Sequence, residues 1–101
     1  MNLSSEKVIE RSLNKAIKDL GGWSIKLLSS FIKGLPDRVC LLPKGKIIFV
    51  EVKSTGKKPT KAQQLVHKRL TDLGFKVYVI DKIHDIDELV NQIHWDYRYK
   101  I

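Results

Sequence analysis

The chain has few of the residues and segments that mark secreted or membrane proteins. Its 101 residues include one cysteine, Cys40, which cannot form a disulfide within the chain and so favours a reducing compartment. No apolar run approaches the roughly 20 residues of a membrane-spanning helix. The first residues, 1–6, lack the features of a signal peptide. These absences predict a cytoplasmic protein, and the apolar neighbours of Cys40 predict a place in the core.

Acidic residues are also scarce relative to basic ones. Lys and Arg number 19 against 11 Asp and Glu, which gives a net charge of +8 and a pI near 9.7. This excess favours a polyanionic partner, most often nucleic acid.

The sequence shows none of the patterns that bind zinc or organic cofactors. Its three histidines lack metal-ligand spacing, and one cysteine cannot complete a zinc site. No phosphate-binding loop, dinucleotide-binding fingerprint or Ser-His-Asp order is present. No organic cofactor is therefore expected. His67 follows Gln63 by four residues, so the two side chains would share one face of a helix.

The length and the absence of repeats or a linker predict one domain over residues 1–101. Its core is expected at about 5–85, with a C-terminal helix and tail at 86–101. Apolar periodicity and turn residues predict the following elements: helix 5–20, strand 23–28, strand 38–42, strand 47–53, helix 61–73, strand 76–80, and a short helix from Asp85. This order, α-β-β-β-α-β-α, predicts an α/β fold with a central mixed four-stranded sheet flanked by helices. The fourth strand should join by a helical crossover, parallel to its neighbour.

The helices show apolar faces and capping residues. The side chains predicted to point inward are Ile9, Leu13, Ala16, Ile17 and Leu20 in the first helix, Ala62, Leu65, Val66, Leu70 and Leu73 in the second, and Ile86, Leu89, Val90 and Ile93 in the third. Asp85 and Glu88 fit a capping box at the start of the third helix. The tail, 95–101, alternates apolar and polar residues, which predicts a strand with one buried face.

The two central strands form a hairpin whose register can be predicted. Pro43 suits the first central position of a type I turn and Gly45 a left-handed residue after it. The closing pair is then Leu42 with Lys46, and counting back places Asp37 opposite Glu51. Directly paired residues point to the same side of a sheet, and Lys53 shares the face of Glu51 by the two-residue alternation of a strand.

This register brings two carboxylates and one ammonium group together. Two adjacent carboxylates repel each other unless a cation lies between them, and oxygen ligands suit Mg²⁺ or Mn²⁺. The Val52 carbonyl could be a third ligand, while Lys53 could hold the attacking water or neutralise developing charge. Glu-x-Lys alone is usually a solvated charge pair, and Pro-Asp alone is usually a turn. Their predicted meeting favours a catalytic site.

The ordered set of motifs resembles the PD-(D/E)xK nuclease superfamily, and within it the VRR-Nuc (virus-type replication-repair nuclease) domains. The resemblance covers about residues 5–85. It is carried by Gly21-Gly22, Lys26, Gly34-Leu35-Pro36-Asp37-Arg38, Phe49-Val50-Glu51-Val52-Lys53, Gly56-Lys57-Lys58-Pro59, Gln63 and Gly74-Phe75-Lys76-Val77. It implies a restriction-endonuclease-like core and Mg²⁺- or Mn²⁺-dependent cleavage of DNA.

The resemblance also assigns roles to individual residues. Asp37 and Glu51 are similar to the family's metal ligands and Lys53 to its motif lysine. The family's helix-one glutamate, which assists the metal, has two candidates; Glu10, on the flank of the apolar stripe, is preferred to Glu6. Gln63 is similar to a glutamine that faces the active site in related nucleases. However, Thr60-x-x-Gln63 is also a capping box, and both interpretations of Gln63 stay open.

The implied substrate is DNA, with Lys26, Arg38, Lys57 and Lys58 as candidate contacts to its phosphates. Related junction resolvases imply a homodimer that cuts branched DNA such as four-way (Holliday) junctions. The expected location is the cytoplasm of a bacterial cell, with the protein either associated with the nucleoid or encoded by a phage. The apolar tail residues could form part of the dimer interface or stack on unpaired bases. Two alternatives are a double-stranded RNA-binding module without catalysis and an inactive nuclease-fold subunit of a DNA-processing complex.

Overall fold

The computed structural model describes residues 4–98 and contains the element order that the sequence predicts. The elements are α1 (Glu6–Asp19), β1 (Trp23–Lys26), β2 (Arg38–Leu42), β3 (Lys46–Val52), α2 (Lys61–Asp72), β4 (Lys76–Ile80) and α3 (His84–Tyr97). The four strands form one sheet in the order β1-β2-β3-β4. β1, β2 and β3 pair antiparallel, and β4 pairs parallel to β3 after the crossover through α2. The predicted mixed four-stranded sheet is confirmed.

The core lies between the sheet and the two helices α1 and α3. Ser5 caps α1 by accepting a hydrogen bond from the Val8 N–H, and the helix then turns one apolar face to the sheet. The buried apolar residues are Ile9, Leu13, Ile17, Cys40, Leu42, Ile48, Val50, Val52, Ile80, Ile86, Leu89 and Ile93. The predicted place of Cys40 in the core is thus confirmed, and burial raises the pKa of its thiol to about 11.

The hairpin has the predicted register but a different turn. Leu42 pairs with Lys46, and Val39 pairs with Phe49. Gly45 has the expected positive φ of 74°, but Lys44 is left-handed as well, with φ 65°. A type I turn has a negative φ at that second central position, so the predicted turn type was wrong although the loop length and the register were right.

Helix α2 turns a mixed polar and apolar face to the sheet. Its partly buried residues are Ala62, Gln63, Val66, His67 and Leu70. Leu65 and Leu73, predicted to point inward, are exposed. The prediction followed hydrophobicity alone, whereas the helix is rotated so that two polar side chains, Gln63 and His67, reach the end of β3.

Helix α3 is longer than predicted and begins without the predicted capping box. Its first turn has no side-chain cap at Ile83. The Asp85 carboxylate instead accepts a hydrogen bond from the Asp81 N–H, and Glu88 pairs with His84 at 3.3 Å. These contacts use both side chains that the capping box required.

The predicted C-terminal strand is also wrong, because α3 continues through Tyr97. Buried Ile86, Leu89 and Ile93 recur at helical spacing, and Tyr97 extends that series by four residues and packs against the core. The helical repeat, which extends over the fourteen residues of α3, therefore determines the structure here, rather than the two-residue alternation that begins at Trp95. The remainder of the predicted strand, residues 99–101, lies outside the described residues. Within residues 4–98, no helix is long and apolar enough to cross a membrane.

Candidate active site

The end of the central hairpin places Asp37 beside Glu51. Asp37 immediately precedes β2, and its Oδ2 accepts a hydrogen bond of 2.7 Å from the Val52 N–H of β3. Its own carbonyl accepts the Leu27 N–H at 2.8 Å. The Asp37 side chain is therefore fixed by β3, and its backbone by the residue that follows β1.

Glu51 is the one charged residue of the described chain that is fully buried, with 1% of its surface exposed. Its two oxygens have different surroundings. Oε2 accepts the Gln63 amide at 3.0 Å and lies 3.5 Å from the Lys53 ammonium. Oε1 is buried and has no hydrogen-bond partner within residues 4–98. A buried carboxylate oxygen without a partner is costly, and this one faces the His67 imidazole.

The electrostatics around Glu51 oppose its ionisation when no cation is bound. The pKa of Glu51 is raised to about 8, mainly by burial and also by the neighbouring charge of Asp37, while Lys53 acts in the opposite direction. Two carboxyl groups that share one site cannot both ionise freely. A bound divalent cation would offset both the burial of the Glu51 charge and its repulsion with Asp37. The two carboxyl groups are of the residue type that binds such a cation.

Gln63 makes both of the contacts that the sequence left as alternatives. Its Oε1 accepts the Thr60 N–H at 2.8 Å, and its own N–H donates to the Thr60 hydroxyl at 3.2 Å, which completes a capping box. Its Nε2 simultaneously donates to Glu51. One amide thus fixes the start of α2 and orients the Glu51 carboxylate.

Lys53 follows β3 directly and is held close to Glu51. Its N–H donates to the Ile80 carbonyl of β4 at 2.9 Å. Most of its side chain is covered, and Nζ lies 3.5 Å from Glu51. The ammonium group therefore faces the same small space as the two carboxylates.

His67 is a fifth side chain in this space, one that the sequence suggested only through its spacing from Gln63. Its Nε2 lies 3.6 Å from Glu51 Oε1, too far for a hydrogen bond, and is likewise buried without a partner in the described chain. Burial and the nearby Lys53 charge lower the pKa of His67, while Asp37 opposes this. The lowered pKa favours the neutral form of the imidazole next to Glu51.

Glu10 lies in a separate group of ion pairs. Its Oε2 accepts from Arg38 Nε at 2.8 Å, lies 2.7 Å from a second guanidinium nitrogen of Arg38, and lies 3.7 Å from Lys26 Nζ. The alternative acid, Glu6, is exposed in the first turn of α1. Arg38 is mostly buried, so its guanidinium is directed at Glu10, whereas the Lys26 side chain is more than half exposed.

Lys57 and Lys58 lie on an exposed loop after β3. A turn closes between Lys57 N–H and the Ser54 carbonyl at 3.0 Å, and Gly56 N–H donates to Asp81 at 3.1 Å. That backbone hydrogen bond is the main reason that the pKa of Asp81 is lowered. The two lysines are thus displayed on a loop that is fixed to the end of β4.

The residues at the hairpin end fit a hard divalent cation, although they do not form a complete set of side-chain ligands. Within residues 4–98, no three His, Cys, Asp or Glu side chains converge as a metal site. Asp37 and Glu51 would supply the carboxylates, and the Val52 carbonyl would be a backbone ligand. Glu10 is paired with Arg38 and Lys26, and its role in assisting the metal stays a prediction.

Comparisons with known proteins define the family. Residues 3–81 match the model of the VRR-NUC domain. The chain is 46% identical over 81 residues to "Putative nuclease p44" of Acyrthosiphon pisum secondary endosymbiont phage 1, which covers 80% of this chain and 87% of that protein. A solved structure titled "VRR_NUC domain" aligns with a TM-score of 0.82 and 30% identity, over 87% of this chain and 97% of that one. The chain therefore belongs to the VRR-NUC family.

Membership of this family makes the chain a nuclease domain and confirms the predicted resemblance. The same findings disfavour the double-stranded RNA-binding alternative. That module has no use for a parallel fourth strand after its second helix, nor for a buried glutamate beside an aspartate, and this chain has both.

Proposed function

We propose that the protein is a Mg²⁺- or Mn²⁺-dependent endodeoxyribonuclease whose site is formed by Asp37, Glu51, the Val52 carbonyl, Lys53 and Gln63. The observation that carries this proposal is the buried, partnerless Oε1 of Glu51 beside Asp37. Family membership supports the reaction class, and the net charge of +8 supports a nucleic-acid substrate. Intact motif residues argue against an inactive subunit.

The roles of the residues follow from their contacts. Asp37 is held by the Val52 N–H and Glu51 by Gln63, so both carboxylates are oriented before a cation binds. A divalent cation held there would neutralise the scissile phosphate and activate a water. Lys53 would donate to the attacking water or to a phosphate oxygen as negative charge develops. Lys26, Arg38, Lys57 and Lys58 would contact flanking phosphates, with Glu10 setting the position of Arg38.

The test is cleavage of labelled linear, flap and four-way-junction DNA with Mn²⁺, Mg²⁺ or EDTA. Wild type should cleave only with metal. Asp37→Asn and Glu51→Gln should lose at least about a hundredfold in rate while keeping their circular dichroism spectra. Asp87→Asn, an exposed acid on α3, is the matched control. Retained cleavage by purified Asp37→Asn would contradict the assignment of the site.

We further propose that the substrate is branched DNA and that the active form is a homodimer, because opposing strands of a junction require two active sites. The predicted tail strand no longer supports an interface, but Trp95 is 68% exposed on α3, and this large apolar side chain could meet a second copy. Light scattering at micromolar concentration should give the mass of a dimer, reduced by Trp95→Ser. A monomer at that concentration would contradict this.

We place the activity in the cytoplasm of a bacterial cell, in a phage or nucleoid-associated process.

A further inference from the structure

The connection between β1 and β2 exposes an unusual amount of apolar surface. Phe31 is 100% exposed, Leu28 71% and Ile32 56%. Fully burying one such side chain contributes roughly 1.5–3 kcal/mol, so exposing three together in a short loop is unfavourable unless a partner covers them. These three side chains are called the apolar loop tip below.

Both ends of this loop are attached to the active site. At one end, the Leu27 N–H donates to the carbonyl of Asp37. At the other end, Gly34 packs on the backbone that leads into Gln63; a Cβ on Gly34 would lie 2.5 Å from the Ala62 carbonyl oxygen, and its φ of +95° also favours glycine. Phe31 is three residues from Gly34, a span of at most about 11 Å. The apolar loop tip is therefore tethered close to Asp37 at one end and to the start of α2 at the other.

The charge around the loop fits a polyanion. Residues 20–36 contain Lys26 and Lys33 and no acid. The facing segment, residues 53–71, contains six basic residues and no acid: Lys53, Lys57, Lys58, Lys61, Lys68 and Arg69. An apolar group between lysines is the combination that binds single-stranded nucleic acid, in which the lysines contact the backbone and the aromatic ring stacks on a base.

We propose that the apolar loop tip binds an unstacked nucleobase next to the scissile phosphate, with Phe31 as the stacking residue. The inference rests on the proposed function and specifies its substrate class: DNA with an unpaired or branch-point base close to the cut. In an intact duplex the bases are stacked on each other. Phe31 could contact one of them only after it is unstacked, which has a free-energy cost. The loop would thus select DNA that already presents a free base.

A second copy of this chain fits the apolar loop tip less well than a base does. A symmetric contact through this loop would bring Lys26 and Lys33 of one copy close to the same lysines of the other, and like charges across an interface are unfavourable. DNA supplies the opposite charge together with a flat apolar surface.

The experiment measures binding without cleavage. Asp37→Asn is the background, and the DNA is either a blunt duplex or a fork that carries 2-aminopurine as an unpaired base at the branch. Adding Phe31→Ala should weaken binding to the fork roughly tenfold, as expected for one lost base–aromatic stack, and should change duplex binding less than twofold. It should also abolish the quenching of 2-aminopurine on binding. Phe31→Trp should retain both.

Trp23→Ala is the matched control, because Trp23 is an exposed aromatic at the far end of β1, where it pairs with Leu41 near the hairpin turn and away from Asp37. It should leave fork affinity and quenching unchanged. Equal loss of fork and duplex binding by Phe31→Ala, or no loss of either, would overturn the proposal. A change in the light-scattering mass caused by Phe31→Ala would instead assign the loop tip to a second copy. Because binding is read without cleavage, failure of the proposed chemistry would leave this outcome readable.

Discussion

At the scale of single residues, Glu51 meets two conflicting requirements. Its place at the end of β3 buries it completely, which favours the neutral acid, while the proposed function needs the carboxylate. Gln63 and Lys53 stabilise only one of its oxygens. The folded protein therefore stores an unfavourable interaction at this residue that a bound cation would relieve.

The pH dependence of stability tests this interpretation. In EDTA, the pKa of Glu51 is about 8 in the folded chain against an ordinary 4.5. Between these two pH values, Glu51 is ionised in the unfolded chain but protonated in the folded chain. Its contribution to the free energy of unfolding is therefore fully present below pH 4.5 and is lost as the pH rises towards 8. Glu51→Gln stays neutral, so its melting temperature relative to wild type should increase across that window and level off above it.

Two controls separate this effect from general changes in charge. Asp87→Asn, on the exposed face of α3, should show only a small difference that does not grow over the same pH range. Adding Mn²⁺ at pH 8 should raise the melting temperature of wild type and leave that of Glu51→Gln nearly unchanged, because only the carboxylate gains from the cation. A pH-independent difference between Glu51→Gln and wild type would show that Glu51 is not buried as a neutral acid.

At the scale of secondary-structure elements, α2 has a structural end and a functional face. Its first turn is closed by the capping box of Thr60 and Gln63, and its inner face carries Gln63 and His67 to Glu51. Hydrophobic residues alone would rotate the helix differently, as exposed Leu65 indicates. The helix therefore gives up some apolar burial in order to position polar groups at the site.

Thr60→Ala and Gln63→Ala separate the two functions of this helix start. Both remove the capping box and should cost about 1 kcal/mol in the free energy of unfolding. Only Gln63→Ala also removes the donor to Glu51, and it should lower kcat by at least about tenfold, the value of one hydrogen bond to a charged group. Thr60→Ala should keep kcat within about twofold. Equal kcat values for both variants, measured where both are folded, would make Gln63 a cap alone.

At the scale of the whole molecule, charge is divided between two regions. Residues 72–97 contain six acids and two lysines, and so a net charge of −4, whereas the rest of the chain carries +12. The candidate site lies at the hairpin end, beside the basic segment that includes α2 and the loop before it. DNA should therefore approach over α2 and the loops before it.

Salt dependence of DNA binding measures this division of charge. Lys57→Ala and Lys58→Ala should each reduce the slope of log Kd against log salt by about one, because each removes one phosphate contact and the counterion it releases. Lys82→Ala should leave the slope unchanged, because Lys82 is more than half exposed between Asp81 and Asp85. An equal effect of all three substitutions would mean that the salt dependence of DNA binding reflects net charge alone. The loop after β3 would then make no specific contact with DNA.

The sequence by itself determined the element order, the hairpin register and the meeting of Asp37 with Glu51. These follow from local rules: turn residues fix which residues pair, and two-residue alternation fixes which side chains share a face. The family resemblance followed from the same ordered residues. One error arose where two local patterns competed: in the tail, the helical repeat that ends at Tyr97 prevailed because it packs that residue against the core.

Only the tertiary structure decided which partners the site residues take. It gave Gln63 two simultaneous contacts, paired Glu10 with Arg38 and Lys26, and brought His67 within 3.6 Å of Glu51. It also attached the apolar loop to Asp37 and to the start of α2. Such contacts join residues far apart in the chain, and they depend on how α1 and α2 are rotated against the sheet. That rotation is a property of packing, which no local pattern encodes.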